Sequence, residues 1–142
     1  MGEKVIRVLA LVALVLGLAS CGGSRPLSRA DLVKQANAIC RQRAADIAAT
    51  RKRVHTRDFA TFVAAALPVA DRAASKLEGL KPPKELTSAY SRWTAGVRAQ
   101  VTQIKRALAA LRAHRRVPNG EGLAAAEREA KLARQLGLTG CG

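Results

Sequence analysis

The stretch LTSAYSRWTAGVRAQVTQIKRALAAL, residues 86–111, carries the strongest periodic pattern in this chain of 142 residues. Its bulky apolar residues recur every three or four positions, on a stripe that comprises Leu86, Tyr90, Trp93, Val97, Val101, Ile104, Leu108 and Leu111. That spacing predicts a long amphipathic α-helix with one face turned towards a core. Tyr90 and Trp93 lie on the stripe, so core packing explains them better than a ligand pocket between helices.

A first helix is predicted before this stretch, from about Arg29 to Val54. Ser28 followed by Asp31 has the form of a capping box, with Asp in place of the usual Glu or Gln. Apolar residues then recur at helical spacing up to Val54.

A second helix is predicted between the first helix and the quoted stretch. Thr56 or Asp58 can cap its start, and Gly79 is expected to end it. Pro68 should kink or split this helix, because proline lacks a backbone N–H and clashes with the preceding turn.

A fourth, shorter helix is predicted from Leu123 to Leu136, after a turn signal at residues 117–120. Gly137 followed by Leu138 has the form of a Schellman ending. No alternating strand pattern occurs in the sequence. The fold class expected is therefore all-α, an up-down antiparallel four-helix bundle with a kinked second helix and one disulfide.

The N-terminus has the layout of a secretory signal. Lys4 and Arg7 precede an apolar run over residues 8–19, which is too short to span a membrane. The ending Leu-Ala-Ser-Cys at residues 18–21 resembles the lipobox of bacterial lipoproteins, which implies that Cys21 is acylated and becomes the first mature residue. We expect a signal peptide at 1–20, a flexible tether at 21–27 and a helical bundle domain at 28–142. The protein should then be exported and lipid-anchored on the extracytoplasmic face of the cell membrane.

The other two cysteines form an even pair. With Cys21 assigned to the lipid, Cys40 and Cys141 remain, in a compartment that favours disulfides. A bond between them would close a loop of about a hundred residues, worth up to ~4.7 kcal/mol in the chain-entropy model. Free thiols for redox or metal chemistry are the alternative, which no Cys-x-x-Cys pair or adjacent histidine supports.

Several short motifs resemble the uncharacterised small helical lipoproteins of high-GC Actinobacteria. They are the lipobox, the sequence ANAIC at 36–40, LKPPKEL at 80–86, Tyr90 with Trp93, and GLTGCG at 137–142. The resemblance implies an exported, anchored bundle with a Cys40–Cys141 bridge. The family carries no assigned activity.

The chain is strongly basic, with 25 Lys and Arg against 10 Asp and Glu and a formal net charge of +15. In the cytosol this balance would suggest a nucleic-acid partner. For an exported, anchored protein we expect no nucleic acid, and instead anionic lipid headgroups or acidic wall polymers. The alternative is that the composition reflects a GC-rich genome and solubility alone.

Seven of the cations should gather at the membrane-distal end of the bundle, and we refer to them as the basic pole: Arg51, Lys52, Arg53, Arg57, Arg112, Arg115 and Arg116. Arginine's planar fork suits phosphate and carboxylate groups of an envelope polymer or partner protein. The alternative is that these cations complement two helix C-termini and stay solvated.

The sequence gives little support for a catalytic site or a metal site. No phosphate-binding loop, nucleophile elbow or haem-attachment motif is present, so no enzyme activity and no cofactor are expected. His55 and His114 should both lie at helix C-termini, where interaction with the helix dipole explains them better than metal binding. The function expected is a non-catalytic binding module. A structural accessory subunit of a larger membrane complex is the alternative.

Overall fold

The computed structural model describes residues 25–55, 57–117 and 121–141, with the backbone alone at 121–123. No strand occurs in these ranges, and the predicted all-helical class is confirmed. The expected signal peptide, the acylation site Cys21 and the turn at 118–120 lie outside the described residues. The helices are α1 (Arg29–Val54), α2 (Phe59–Glu78), α3 (Thr87–Arg112) and α4 (Glu121–Leu136), with 3₁₀ turns at Lys84–Leu86 and Thr139–Cys141.

The start of α1 has the expected cap. The Oγ of Ser28 accepts a hydrogen bond from the backbone N–H of Asp31 at 3.1 Å, and its hydroxyl donates to the Asp31 carboxylate at 2.6 Å. Leu27, the last residue of the expected tether, packs against the core, and its N–H donates to the carbonyl of Lys81 at 2.8 Å. The chain is therefore held to the bundle one residue before the cap.

Asp58 caps α2, while Thr56, the other candidate, lies outside the described residues. The Asp58 carboxylate accepts hydrogen bonds from the Thr61 hydroxyl and from the backbone N–H of Thr61 and Ala60, and these bonds lower its pKa. The helix continues through Pro68 as one element, and Gly79 is its C-cap as expected.

Each helix packs against the next along the chain, and the C-terminal 3₁₀ turn packs against α1. Trp93 is only 2% exposed, and its ring lies 5.5 Å from that of Tyr90. The hydroxyl of Tyr90 donates to the carbonyl of Leu77 at 2.8 Å, so its polar end is satisfied inside the core. The buried core comprises Leu32, Ala36, Cys40, Ala74, Leu77, Tyr90, Trp93, Val97, Val101, Ala133, Leu136 and Leu138.

The predicted stripe of α3 is not buried along its whole length. Ile104 is 40% exposed and Leu111 is 39% exposed, and Phe59 at the start of α2 is 68% exposed. For the end of α3, helix length offers an explanation: α3 has 26 residues and α4 only 16, or ~39 Å against ~24 Å. The shorter helix covers the first half of α3 and leaves apolar side chains uncovered near its end.

Arg98 joins α2 to α3 through a network of polar contacts. Its guanidinium makes two hydrogen bonds to Glu78, at 2.8 and 2.6 Å, and one each to Asp71 at 2.7 Å and Ser75 at 2.9 Å. Lys105 also bonds Asp71, at 3.1 Å. Hydrogen bonds from Lys105 and Arg98 lower the pKa values of Asp71 and Glu78, respectively.

The end of α4 brings the C-terminal segment back to α1. The N–H of Gly137 donates to Arg134 at 3.0 Å and that of Leu138 to Ala133 at 2.8 Å, which is the expected Schellman ending, with φ of 81° at Gly137. The following turn carries Cys141 to Cys40, and the predicted disulfide is confirmed, with 5.1 Å between the two Cα atoms. In the described part of the chain, no helix is both long and apolar enough to span a membrane.

Candidate binding surfaces beside the first helix

All seven cations of the basic pole are exposed, and the structure places them at the ends of two helices. Three lie in the last turn of α1 and one in the link to α2, while the others end or follow α3. The ion pairs seen among the described residues involve Arg98 and Lys105, and no cation of the basic pole. Their charges are therefore available to an anion in solution.

Two of these side chains are held by neighbours. The guanidinium of Arg51 lies 5.5 Å from the centre of the Phe62 ring, a cation–π contact between α1 and α2. Arg53 donates to the Oγ1 of Thr50 at 3.2 Å. Because these contacts restrict the two guanidinium groups, each loses less conformational freedom when an anion binds.

His55 and His114 end helices and show no metal-site geometry. Both have a positive φ, 40° and 51° respectively. The N–H of His114 donates to Leu111 at 3.1 Å and that of Arg115 to Ala110 at 2.9 Å, so histidine occupies the position that glycine usually takes in a Schellman motif. Across the described ranges, no group of three or more His, Cys, Asp or Glu could hold a metal ion.

An open groove with a volume of about 510 Å³ lies along the C-terminal half of α1, and we call it the α1 groove. One face of α1 lines it, together with side chains of α2 and α3. Apolar atoms dominate the walls, and two arginines lie among them. The residues are Arg43, Ala44, Ile47, Ala48, Arg51, Phe62, Ala70 and Ile104.

A second cavity, of about 310 Å³, lies between α1, α3 and α4, and we call it the central cleft. Its walls include Trp93, the Cys40–Cys141 disulfide and Glu129, which is partly buried on α4. Gln100 donates a hydrogen bond to the Glu129 carboxylate. Burial of Glu129 raises the pKa of its carboxyl, because the charged form loses contact with water there.

Gly96 makes room for this carboxylate. A Cβ at Gly96 would lie 2.7 Å from both the Cγ and the Oε1 of Glu129, so a side chain there would displace it. Sequence reasoning missed both cavities. A glycine within a helical pattern was the available signal, since it is unfavourable in a helix unless another group approaches closely.

The two cavities both include Arg43 in their walls. Together with the basic pole they offer exposed cations, an apolar wall and one partly buried carboxyl. Such groups can bind and orient a ligand with an anionic end and an apolar body. Comparisons of the chain with protein-family models, curated proteins and solved structures find no match.

Proposed function

We propose that this chain is an exported bacterial lipoprotein, anchored through a lipid on Cys21, that acts as a non-catalytic binding module for an anionic component of the cell envelope. The observation that supports this most directly is the basic pole, whose seven exposed cations take part in no ion pair within the described ranges. Uncompensated charge attracts anions over about 8 Å at physiological salt.

The proposal includes an up-down arrangement in which α1 and α3 end on the same side, away from the anchor. Cross-helix contacts support it. Lys105, late in α3, bonds Asp71, whereas Tyr90, early in α3, bonds Leu77 further along α2. Ile104 shares the α1 groove with Arg51. A bend of α2 at Pro68 stays a prediction.

The chemistry of the basic pole favours phosphate and carboxylate groups. Arginine can donate two parallel hydrogen bonds to either group, and six of the seven cations are arginines. Single exposed charges contribute little, so we expect binding to come from many weak contacts along a repeating anionic polymer.

The test compares two fourfold charge-neutralised variants. In the first, glutamine replaces Lys52, Arg57, Arg112 and Arg115. In the control it replaces four exposed cations outside the basic pole and outside both cavities: Lys34, Arg41, Arg92 and Lys131. Both variants lose four positive charges, so any difference in binding between them does not come from net charge.

The measurement is capture of the protein by an immobilised polyol-phosphate wall polymer at low and high salt. We expect the first variant to lose most of the capture and the control to keep it, with salt reproducing the loss in the parent. Thermal unfolding should change little in either variant, because exposed charges contribute little to stability. Equal loss in both would show that only net charge matters and would contradict the proposal.

A structural accessory subunit is the second candidate, and the exposed apolar side chains favour it. Phe59, Ile104 and Leu111 are suited to packing against another protein. This candidate predicts co-purification with one membrane protein that resists high salt, in contrast to the salt-sensitive capture expected of the basic pole.

A further inference from the structure

We propose that the α1 groove binds the hydrocarbon chain of a monomeric fatty-acid carboxylate, with the guanidinium of Arg51 at its charged end. The inference rests on the proposed binding function, since it names a ligand class for a surface to which Arg51 belongs. It is carried by the combination of an apolar cavity and two cations in its walls.

The floor of the groove is apolar and uncovered. Ile47, Phe62 and Ile104 contribute its large side chains, and Ile104 is 40% exposed although it belongs to the α3 stripe. On α1 the wall is built from small residues, Ala44 and Ala48, which leave space beside the helix. The groove has a volume of about 510 Å³ and is open to solvent along one side, so a bound chain would keep one flank in water.

One cation is placed to hold an anionic head. Arg43 and Arg51 both line the groove but are eight residues apart on α1, ~12 Å along the helix, so a single carboxylate pairs with one of them. Arg51 is already positioned over the Phe62 ring at 5.5 Å, at the border between the apolar floor and solvent. A carboxylate there meets a guanidinium while its chain stays on the apolar floor.

The size of the groove favours a single chain over a protein helix. The apolar stretch between Arg43 and Arg51 extends only ~12 Å along α1 and has a cation at each end. A helix that presents a row of apolar anchors would set its apolar face against these cations. An extended hydrocarbon chain fits, and Arg43 connects the groove to the central cleft if the chain is longer.

The experiment titrates dodecanoate, below its micelle concentration, into the exported chain carrying Cys21→Ser, so that no anchor lipid competes. Calorimetry gives the affinity. Trp93, the one tryptophan of the chain, lies in the wall of the central cleft and not of the groove, so a change in its fluorescence shows whether the bound chain extends into the cleft. Dodecanol and butyrate, which lack the charge and the long chain respectively, are the ligand controls.

Two matched pairs of variants locate the site. Ala48→Phe fills the groove, whereas Ala49→Phe places the same ring on the neighbouring exposed residue, outside it. Arg51→Gln removes the groove cation, whereas Arg41→Gln removes an exposed cation elsewhere on α1. We expect Ala48→Phe and Arg51→Gln to weaken dodecanoate binding by roughly tenfold, and both controls to bind like the parent.

Several results would overturn the inference: no binding of dodecanoate by the parent, equal binding of dodecanol, or equal effects of Ala48→Phe and Ala49→Phe. A change in oligomeric state caused by Ala48→Phe, without dodecanoate binding, would show that the groove is an interface between copies and would also overturn it. Polymer capture by the parent and by Ala48→Phe is measured in parallel. If capture persists while dodecanoate does not bind, the inference fails and the proposed function stands.

Discussion

The side-chain Oδ1 of Asn37 accepts a hydrogen bond from the backbone N–H of Gly140 at 2.8 Å, joining the first helix to the last turn of the chain. The two residues approach closely, because a Cβ at Gly140 would lie 3.2 Å from the backbone and side-chain oxygens of Asn37. One helical turn further along α1, Cys40 forms the disulfide with Cys141. The C-terminal segment is therefore fixed to α1 by a polar contact and a covalent one, side by side.

We expect Asn37→Ala to lower the free energy of unfolding by about 1–3 kcal/mol, because it leaves the N–H of Gly140 without its acceptor. Urea unfolding measures the change. Gln35→Ala is the matched control, since it removes an amide from an exposed position of the same helix. Equal stability of the two variants would show that the Asn37 contact contributes nothing.

Removal of the disulfide by Cys40→Ala with Cys141→Ala should lower the unfolding free energy by up to ~4.7 kcal/mol. The bond spans 101 positions, and without it the unfolded chain gains the freedom of that loop. Urea unfolding of the oxidised parent and of the double variant gives the difference. Non-reducing peptide mapping should find the two cysteines linked, and their recovery as free thiols would contradict the structure.

We expect Glu129→Gln to stabilise the protein at neutral pH but not in acid. Burial raises the pKa of this carboxyl above its value in the unfolded chain, so the folded state weakens as pH rises through the folded pKa. Below the pKa of this carboxyl in the unfolded chain, about 4.3, it is protonated in both states, so the loss of stability is absent. A glutamine at position 129 carries no charge, and its side-chain oxygen still accepts the hydrogen bond from Gln100. The urea midpoints of the parent and of Glu129→Gln are compared near pH 3 and near pH 7. An equal rise of the midpoint at both pH values would contradict the prediction.

His114→Gly should raise the unfolding free energy by about 0.5–1 kcal/mol. The φ of His114 is 51°, a left-handed conformation that is unfavourable for a residue with a Cβ and free for glycine. His114→Ala keeps the Cβ and should give no gain. Thermal unfolding distinguishes the two, and equal melting temperatures would show that the backbone is unstrained there.

The proposed acylation of Cys21 makes a prediction of its own. Cys21→Ser removes the thiol that acylation needs, so the protein should move from the detergent phase to the aqueous phase in a partitioning experiment. The acylated parent should stay on membranes through a high-salt wash, because two or more chains hold a protein firmly. Detergent partitioning of the serine variant like that of the parent would contradict lipidation.

Much of the fold could be predicted because it depends on short-range signals. The bounds of α1, the cap at Ser28 and the ending at Gly137 each depend on a few neighbouring residues. The Cys40–Cys141 bond followed from cysteine parity, together with the expectation that the chain is exported. The exposure of Ile104 could not be predicted in this way, because it depends on the positions of α1, α2 and α3 around the groove.

The cavities beside α1 were missed for the same reason. Volume between helices is a property of their relative positions, and the pattern of one helix does not contain it. Arg43 lies between Ile39 and Ile47 at helical spacing in α1, and Gly96 falls within α3 beside Glu129. A charged residue among apolar positions and a glycine within a helix are both unusual. Arg43 lines both cavities, and Gly96 contacts the Glu129 carboxylate that lines the central cleft.

The order of packing has a consequence for folding kinetics. Each helix contacts the one that follows it, so most of the bundle forms between neighbouring segments, and such low contact order predicts folding within milliseconds. Among the described residues, the C-terminal turn makes the main contact that closes the bundle onto α1, so the native positions of Cys40 and Cys141 are both in place once α4 has packed. We therefore expect oxidation to follow folding, and the bond to slow unfolding while leaving the folding rate almost unchanged.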